Sequence, residues 1–352
     1  DIWINTTVGQ NSLSETADIN KNDPASFRIN YKTPLKFIAP GVNFWIGGGI
    51  LDGLTFAKSG GDLTFLNNRI RLFTEYKLMY RRNTNTLEYL LYPNEWQSAS
   101  MNTSVTLGAE AQYRKNKWNG SVAIQNTSAS LFSDYSYSKL SLTNITNYET
   151  GKIDWRLRVF GQYGYGQNVP MESALYLAGA NPEELMENAW TRSRAFVPYS
   201  WLGYGDKTNH FQQGGGLNLR GYAGYLVPQN IDGEQRYFYR AISGASVSLE
   251  IDFERLIPLR PSFTKQWLKA DLYVFGDAGA IATNNSNKSI QFTNLKSDAG
   301  IGTAFTIKKF GRFNAIKPLT IRCDFPFLLS SAPYADKNYV KLRYVIGIGR
   351  TF

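Results

Sequence analysis

The sequence has 352 residues, 43% of them hydrophobic, 14% aromatic and 19% charged, with a formal net charge of +10. One histidine and one cysteine (Cys323) exclude an internal disulfide and a His/Cys zinc site, and no metal or cofactor is expected. No stretch reaches the 18 or so consecutive apolar residues of a membrane helix, which excludes a helical membrane protein but not one that crosses with alternating strands.

In chain order, apolar and polar side chains alternate with a period of two. The pattern predicts strands near 2–9, 25–33, 43–57, 61–67, 69–82, 86–93, 102–116, 118–130, 135–149 and 152–166, then 240–255, 266–282, 293–309, 318–329 and 339–352. In the fifth of these, Ile70, Leu72, Tyr76, Leu78 and Tyr80 oppose Arg71, Glu75, Lys77 and Arg81. In the last, Tyr344, Ile346, Ile348 and Phe352 oppose Lys341, Arg343 and Gly347, with Val345 as the exception. Charges of both signs recur on the polar face, and several strands are longer than those of a soluble sandwich. The fold expected is therefore a closed antiparallel transmembrane β-barrel, oily face to lipid and polar face inward, in one domain spanning 1–352. Fifteen strands are readable; single-chain bacterial barrels have even counts, so sixteen is the expected number.

One segment, residues 168–239, lacks the alternation. An unstructured connection of that length is uncommon in a compact protein and usually functional, and it is expected to fold back as a plug. Asn181-Pro182-Glu183-Glu184 reads as a helix start over 182–191, with a cap, a proline at the first position and acids in the first turn. Further on, Gly214, Gly215 and Gly216 lead into Leu219-Arg220-Gly221-Tyr222, so that one guanidinium sits on a compact tip. No Gly-Lys-Ser/Thr follows, which argues against a phosphate loop; the glycines read as a flexible approach to Arg220. Downstream, Glu250, Asp252 and Glu254 share one face of a strand, with Asp271 and Asp277 on the next. An arginine brought to that acidic wall gains charge-assisted, bidentate hydrogen bonds, so Arg220 is expected to pair with Glu250, Asp277 or Asp252. The plain alternative is a solvated loop arginine.

Gly216-x-x-Leu219-Arg220-Gly221-Tyr222 resembles the (V/L)RG(F/Y) signature in the sixth extracellular loop of the BamA/TamA/FhaC superfamily. Residues 247–251, Phe275-Gly276-Asp277-Ala278-Gly279, 298–302, 319–326 and the terminal 344–352 resemble the strands that follow it in that superfamily, in order and spacing. The likeness spans 155–352. It implies that Arg220 is held inside the lumen by Glu250 and Asp277, and that Tyr344, Ile346, Ile348 and Phe352 form the C-terminal assembly signal and one side of a lateral seam. It also implies an outer-membrane location in a Gram-negative cell, a role in inserting or translocating other proteins, and partners among outer-membrane lipid, client barrels and periplasmic or lipoprotein subunits. No POTRA repeat precedes the barrel in this sequence, so it reads as the barrel portion of a longer protein or as a member without that role. The alternatives are an anchor or export barrel for a soluble hydrolase-type domain, and a passive plugged pore.

Catalysis within the chain is not expected. His210 lies in a polar loop with no G-x-S-x-G nearby, and no nucleophile–base set is complete. Basic residues are scattered rather than gathered into a patch, so nucleic acid is not an expected partner.

Overall fold

A computed structural model describes residues 2–5, 27–35, 39–51, 54–81, 92–188, 191, 197–202, 209–231, 234–256, 267–284, 290–308, 318–334 and 337–352. Its framework is an antiparallel sheet in which nearly every strand pairs with its neighbours in sequence, the arrangement that period-two patterning and short connections favour. The first half comprises β1 (Ile2–Asn5), β2 (Phe27–Pro34), β3 (Val42–Leu51), β4 (Leu54–Phe65), β5 (Ile70–Arg81), β6 (Ser100–Lys115), β7 (Trp118–Ala129), β8 (Ser136–Glu149) and β9 (Asp154–Asn168). After a long insertion come β14 (Ser243–Asp252), β15 (Leu268–Asn284), the short β16 (Ile290–Phe292) beside β15, β17 (Lys296–Ile307), β18 (Leu319–Leu329) and β19 (Val345–Ile348). The hydrogen-bonded path runs β1 to β9, then β14, β15, β17, β18 and β19. The described residues thus give fourteen strands along the path, against the sixteen expected, and no described pair joins β1 to β19.

The two faces differ as the alternation requires. Leu107, Ile124, Leu142, Val159, Val247, Ile301 and Ile321 stand on the outer face and are exposed, whereas Ser248, Glu250, Tyr273 and Asp324 on the inner face are fully buried. A soluble protein hides such a ring of aliphatic side chains. Here they form an oily band, edged by aromatic groups such as the Trp118–Tyr148 pair, with ring centroids 4.3 Å apart at the ends of β7 and β8. No helix among the described residues is long and apolar enough to cross a membrane.

Two expected boundaries shift. The chain reverses between β3 and β4, not near residue 60, and Lys58–Gly61 lie in mid-strand. The signal misled because Gly60 makes room instead of turning: a Cβ there would sit 2.5 Å from the Trp45 ring. The expected strand 86–93 falls mostly on residues outside those described. The expected strand 339–352 is regular only over Val345–Ile348, because Pro326 cannot donate to a ladder and β18 carries a register shift against β17 beside it. Residues 339–341 still bond the top of β18, Leu329 N donating to Tyr339 O at 2.9 Å and Lys341 N to Phe327 O at 3.0 Å.

The insertion between β9 and β14 is not structureless. β10 (Leu175–Tyr176) pairs with β13 (Arg240–Ala241), and β11 (Val227–Ile231) with β12 (Glu234–Phe238), both antiparallel. A helix, α1 (Pro182–Glu187), starts with a full capping box: Glu184 N donates to Asn181 Oδ1 (2.8 Å) and Asn181 N to Glu184 Oε2 (3.0 Å). It ends four residues earlier than the expected 191. Insertion side chains pack on inward wall residues, with Leu175, Leu177, Leu217, Leu219 and Tyr222 against Phe160, Ile281 and Leu329.

Candidate functional site: the arginine clasp

Arg220 begins a single 3-10 turn, Arg220–Tyr222, and is fully buried. β14 and β15 are neighbours, and their pleat turns Glu250 and Asp277 to the same inner face. Arg220 Nε donates to Asp277 Oδ2 at 2.8 Å and Nη2 to Asp277 Oδ1 at 3.0 Å, the parallel fork that a guanidinium makes with a carboxylate. Nη1 donates to Glu250 Oε1 at 2.8 Å and to Thr351 Oγ1 at 3.3 Å, with Asp324 Oδ1 3.7 Å away. The Arg220 backbone N–H also points at Asp277 Oδ2 (3.3 Å), and its Cζ stands 3.8 Å from the centre of the Phe275 ring. One loop residue thus binds three strands and the C-terminal segment. A buried charge of this kind is tolerable only because every direction it faces is compensated.

The residues around the tip have steric reasons for their identity. A Cβ on Gly221 would sit 2.7 Å from Asp298 Cβ, so nothing larger than glycine lets the turn seat against β17. Tyr222 OH donates to Ser297 O (3.3 Å) and accepts from Ser331 N (3.1 Å). Leu219 is fully buried. The triple glycine is a tight crossing, not a flexible approach. A Cβ on Gly214 would stand 2.1 Å from Thr351 O, and one on Gly215 2.8 Å from Ala180 Cα. Gly216 has φ +49°, and its carbonyl accepts Arg158 Nη2 at 2.8 Å.

Asp252 does not reach Arg220. It lies two residues beyond Glu250, about 7 Å further along the strand, and meets Arg350 Nη2 at 3.7 Å instead. Arg350 also donates to Glu250 Oε2 (2.9 Å) and Asp271 Oδ2 (3.1 Å), so Glu250 is shared between Arg220 and Arg350, with Arg156 Nη1 a third guanidinium at 4.0 Å. Sequence reasoning missed Arg350, which falls on the outward parity of the terminal segment; Gly349, at φ +86°, turns the chain so that the side chain enters. It also missed Arg322 and Asp324. Asp324 accepts Tyr273 OH at 2.6 Å and is paired with Arg322, whose Nη2 donates to Gln212 O at 2.7 Å. Their inward parity on β18 was the available signal. Of the terminal residues, Tyr344 stacks on His210 (3.9 Å, 4°), Ile346 bonds the insertion through its backbone, Ile348 packs near Phe211, and the Phe352 ring lies 5.4 Å from Arg156 Cζ.

A second anchor lies on the opposite arm of the sheet. Lys77 of β5 donates to Glu183 of α1 (2.9 Å) and sits 3.4 Å from Glu187, while Lys58 of β4 reaches Glu187 at 2.5 Å. The insertion therefore bridges β4–β5 and β14–β19, and the sheet curves around it.

An apolar outer band, a polar inner face and an insertion clasped within define the class: an outer-membrane-type β-barrel protein. No protein-family model matches the sequence, and no curated protein does. Among solved structures the chain is similar to BamA from Haemophilus ducreyi lacking POTRA domains 1-3, at 14% identity over 93% of this chain and 62% of that one, TM-score 0.49. It is similar to CdiB from Escherichia coli (9% identity, 92% of this chain, 58% of that one, TM-score 0.42). Pseudomonas aeruginosa OpdK, solved with vanillate, matches at 9% identity over 92% of this chain and 67% of that one, TM-score 0.42. The chain thus spans about three-fifths of the length of the BamA and CdiB chains.

Proposed function

We propose that this chain forms a closed barrel in the outer membrane, plugged by residues 168–239, and that it acts in the insertion or translocation of other proteins rather than as an enzyme. The observation that carries the reading is a contrast in edge strength. β19 pairs with β18 over four residues, whereas β17 pairs with β18 over ten and β15 with β17 over twelve. A short last strand makes a weak seam against β1, and a sheet edge whose backbone groups are freed accepts strands from a partner. The Arg220 clasp supports the same reading, since it fixes the plug on the strands that border this edge. Client barrels and periplasmic or lipoprotein subunits are the partners that fit.

The test is reconstitution. The purified chain in liposomes should speed the folding of a denatured small outer-membrane barrel, read by its heat-dependent gel mobility, and Arg220→Ala should abolish the gain. Unchanged client folding would overturn the assembly role. A large steady conductance in the same liposomes would favour a passive pore, a reading suggested by the polar-lined cavity of about 630 Å³ between Arg69, Glu110, Arg114 and Glu149.

A further inference from the structure

We infer that residues 209–214 form an internal guard strand on the outer edge of β19, and that an extended strand from a client gains this edge only when the guard withdraws. The inference rests on the reading in which β19 borders a seam. Backbone parity divides the two edges of β19. Gly349 N donates to Thr320 O at 2.8 Å, so the odd residues face β18. Ile346 is even, and both its backbone groups are taken by the insertion: its N–H donates to His210 O (2.6 Å), and its carbonyl accepts Gln212 N–H (2.9 Å). Phe211 stands opposite Ile346 in a parallel bridge.

The direction is informative. Every strand pair along the main path is antiparallel, so a parallel neighbour on the last strand is a placeholder rather than part of that series. It is also held by side chains that leave the edge itself unaltered. Gln212 O accepts Arg322 Nη2, Gln212 Nε2 donates to Ala178 O (2.8 Å) and Asn218 Oδ1 (2.9 Å), and Phe211 is buried with Ala180, Leu185 and Val197. Gly214 continues along Thr351 with no room for a side chain. Because Arg322 also pairs with Asp324, which neighbours Arg220, the guard and the clasp share one ion-pair chain. The occupant that fits is an extended backbone offering a donor and an acceptor to Ile346.

The test uses the whole chain in detergent with Cys323→Ser, carrying Phe211→Cys and Ile346→Cys. The probe is a biotinylated, photoreactive synthetic copy of β18 with serine at its cysteine, an alternating strand of the kind a client barrel offers. Oxidation should form the 211–346 disulfide and reduce probe labelling of residues 339–352 to background, and reduction should restore it. Gln212→Pro, which removes the donor to Ile346, should raise labelling about fivefold, as expected for losing one hydrogen bond; Gln212→Ala, which keeps the backbone donor, should raise it less. The guard is overturned if labelling is equal in the locked, reduced and Gln212→Pro proteins. It is equally overturned if a cysteine at Ile4, not at Phe211, captures the one at Ile346. Client folding lost while this labelling pattern holds would overturn the assembly role and leave the guard standing.

Discussion

Lys77 on β5 and Glu183 at the start of α1 meet at 2.9 Å although 106 residues of chain separate them. With the Arg220 clasp on the opposite arm, this pair makes the insertion a strut between two distant parts of the sheet. Lys77→Met leaves Glu183 and Glu187 facing each other without that cation, and the expected cost is about 1–3 kcal/mol, reduced from a fully buried pair by partial exposure. Cleavage within 182–188 by added protease should accelerate, while Lys115→Met, an exposed control, should change nothing.

Arg220→Lys keeps the charge but loses the fork to Asp277 and the reach to Glu250. Arg220→Ala leaves two buried carboxylates without their nearest cation, at an expected cost of about 3–5 kcal/mol. The unfolding midpoint should therefore fall in the order wild type, Lys, Ala. Equal midpoints for the three would mean that the clasp contributes nothing to stability.

Gly216→Ala forces an alanine into a left-handed conformation with its Cβ 2.6 Å from Tyr176 O. The strained backbone alone costs about 1 kcal/mol or more, and the contact adds to it. Gly161→Ala on β9 is the control, since nothing lies within 4 Å of a Cβ there. Thermal melts of the two variants should separate clearly.

Glu172, in the 3-10 turn after β9, is 4% exposed. Burial pushes its carboxyl up to about 7 from 4.5, with Glu183 adding to the shift. A raised folded value favours the protonated form, so this stabilising contribution is complete below pH 4.5 and is lost as pH rises through about 7. The docked insertion should loosen over that window by at most roughly 3 kcal/mol. Glu172→Gln should flatten the dependence, as read by amide exchange at residues 171–176.

Much of this was legible because a strand's two faces are written in side-chain chemistry. Val247, Glu250 and Asp277 took the faces that alternation gave them, and a guanidinium beside a row of carboxylates is a pairing that charge alone selects. What alternation cannot register is the backbone. Pro326 and Gly349 alter hydrogen bonding and direction in ways the side-chain pattern does not register, so the terminal strand looked continuous and Arg350 looked outward. The Lys77–Glu183 contact was hidden for another reason. Both residues read as ordinary polar positions, and only the path of the insertion brings them together.

The insertion lies against one end of the strands' inner face. Its contacts with β6 and β8 are made by Asn102 and Lys139, towards that end, whereas the cavity of about 630 Å³ lies between Arg69, Glu110, Arg114 and Glu149 towards the other. In the closed barrel proposed above, a solute entering from the hollow side would meet this space before it met the insertion. In that barrel the barrier to passage would be a thin one, set by the side chains around Arg220.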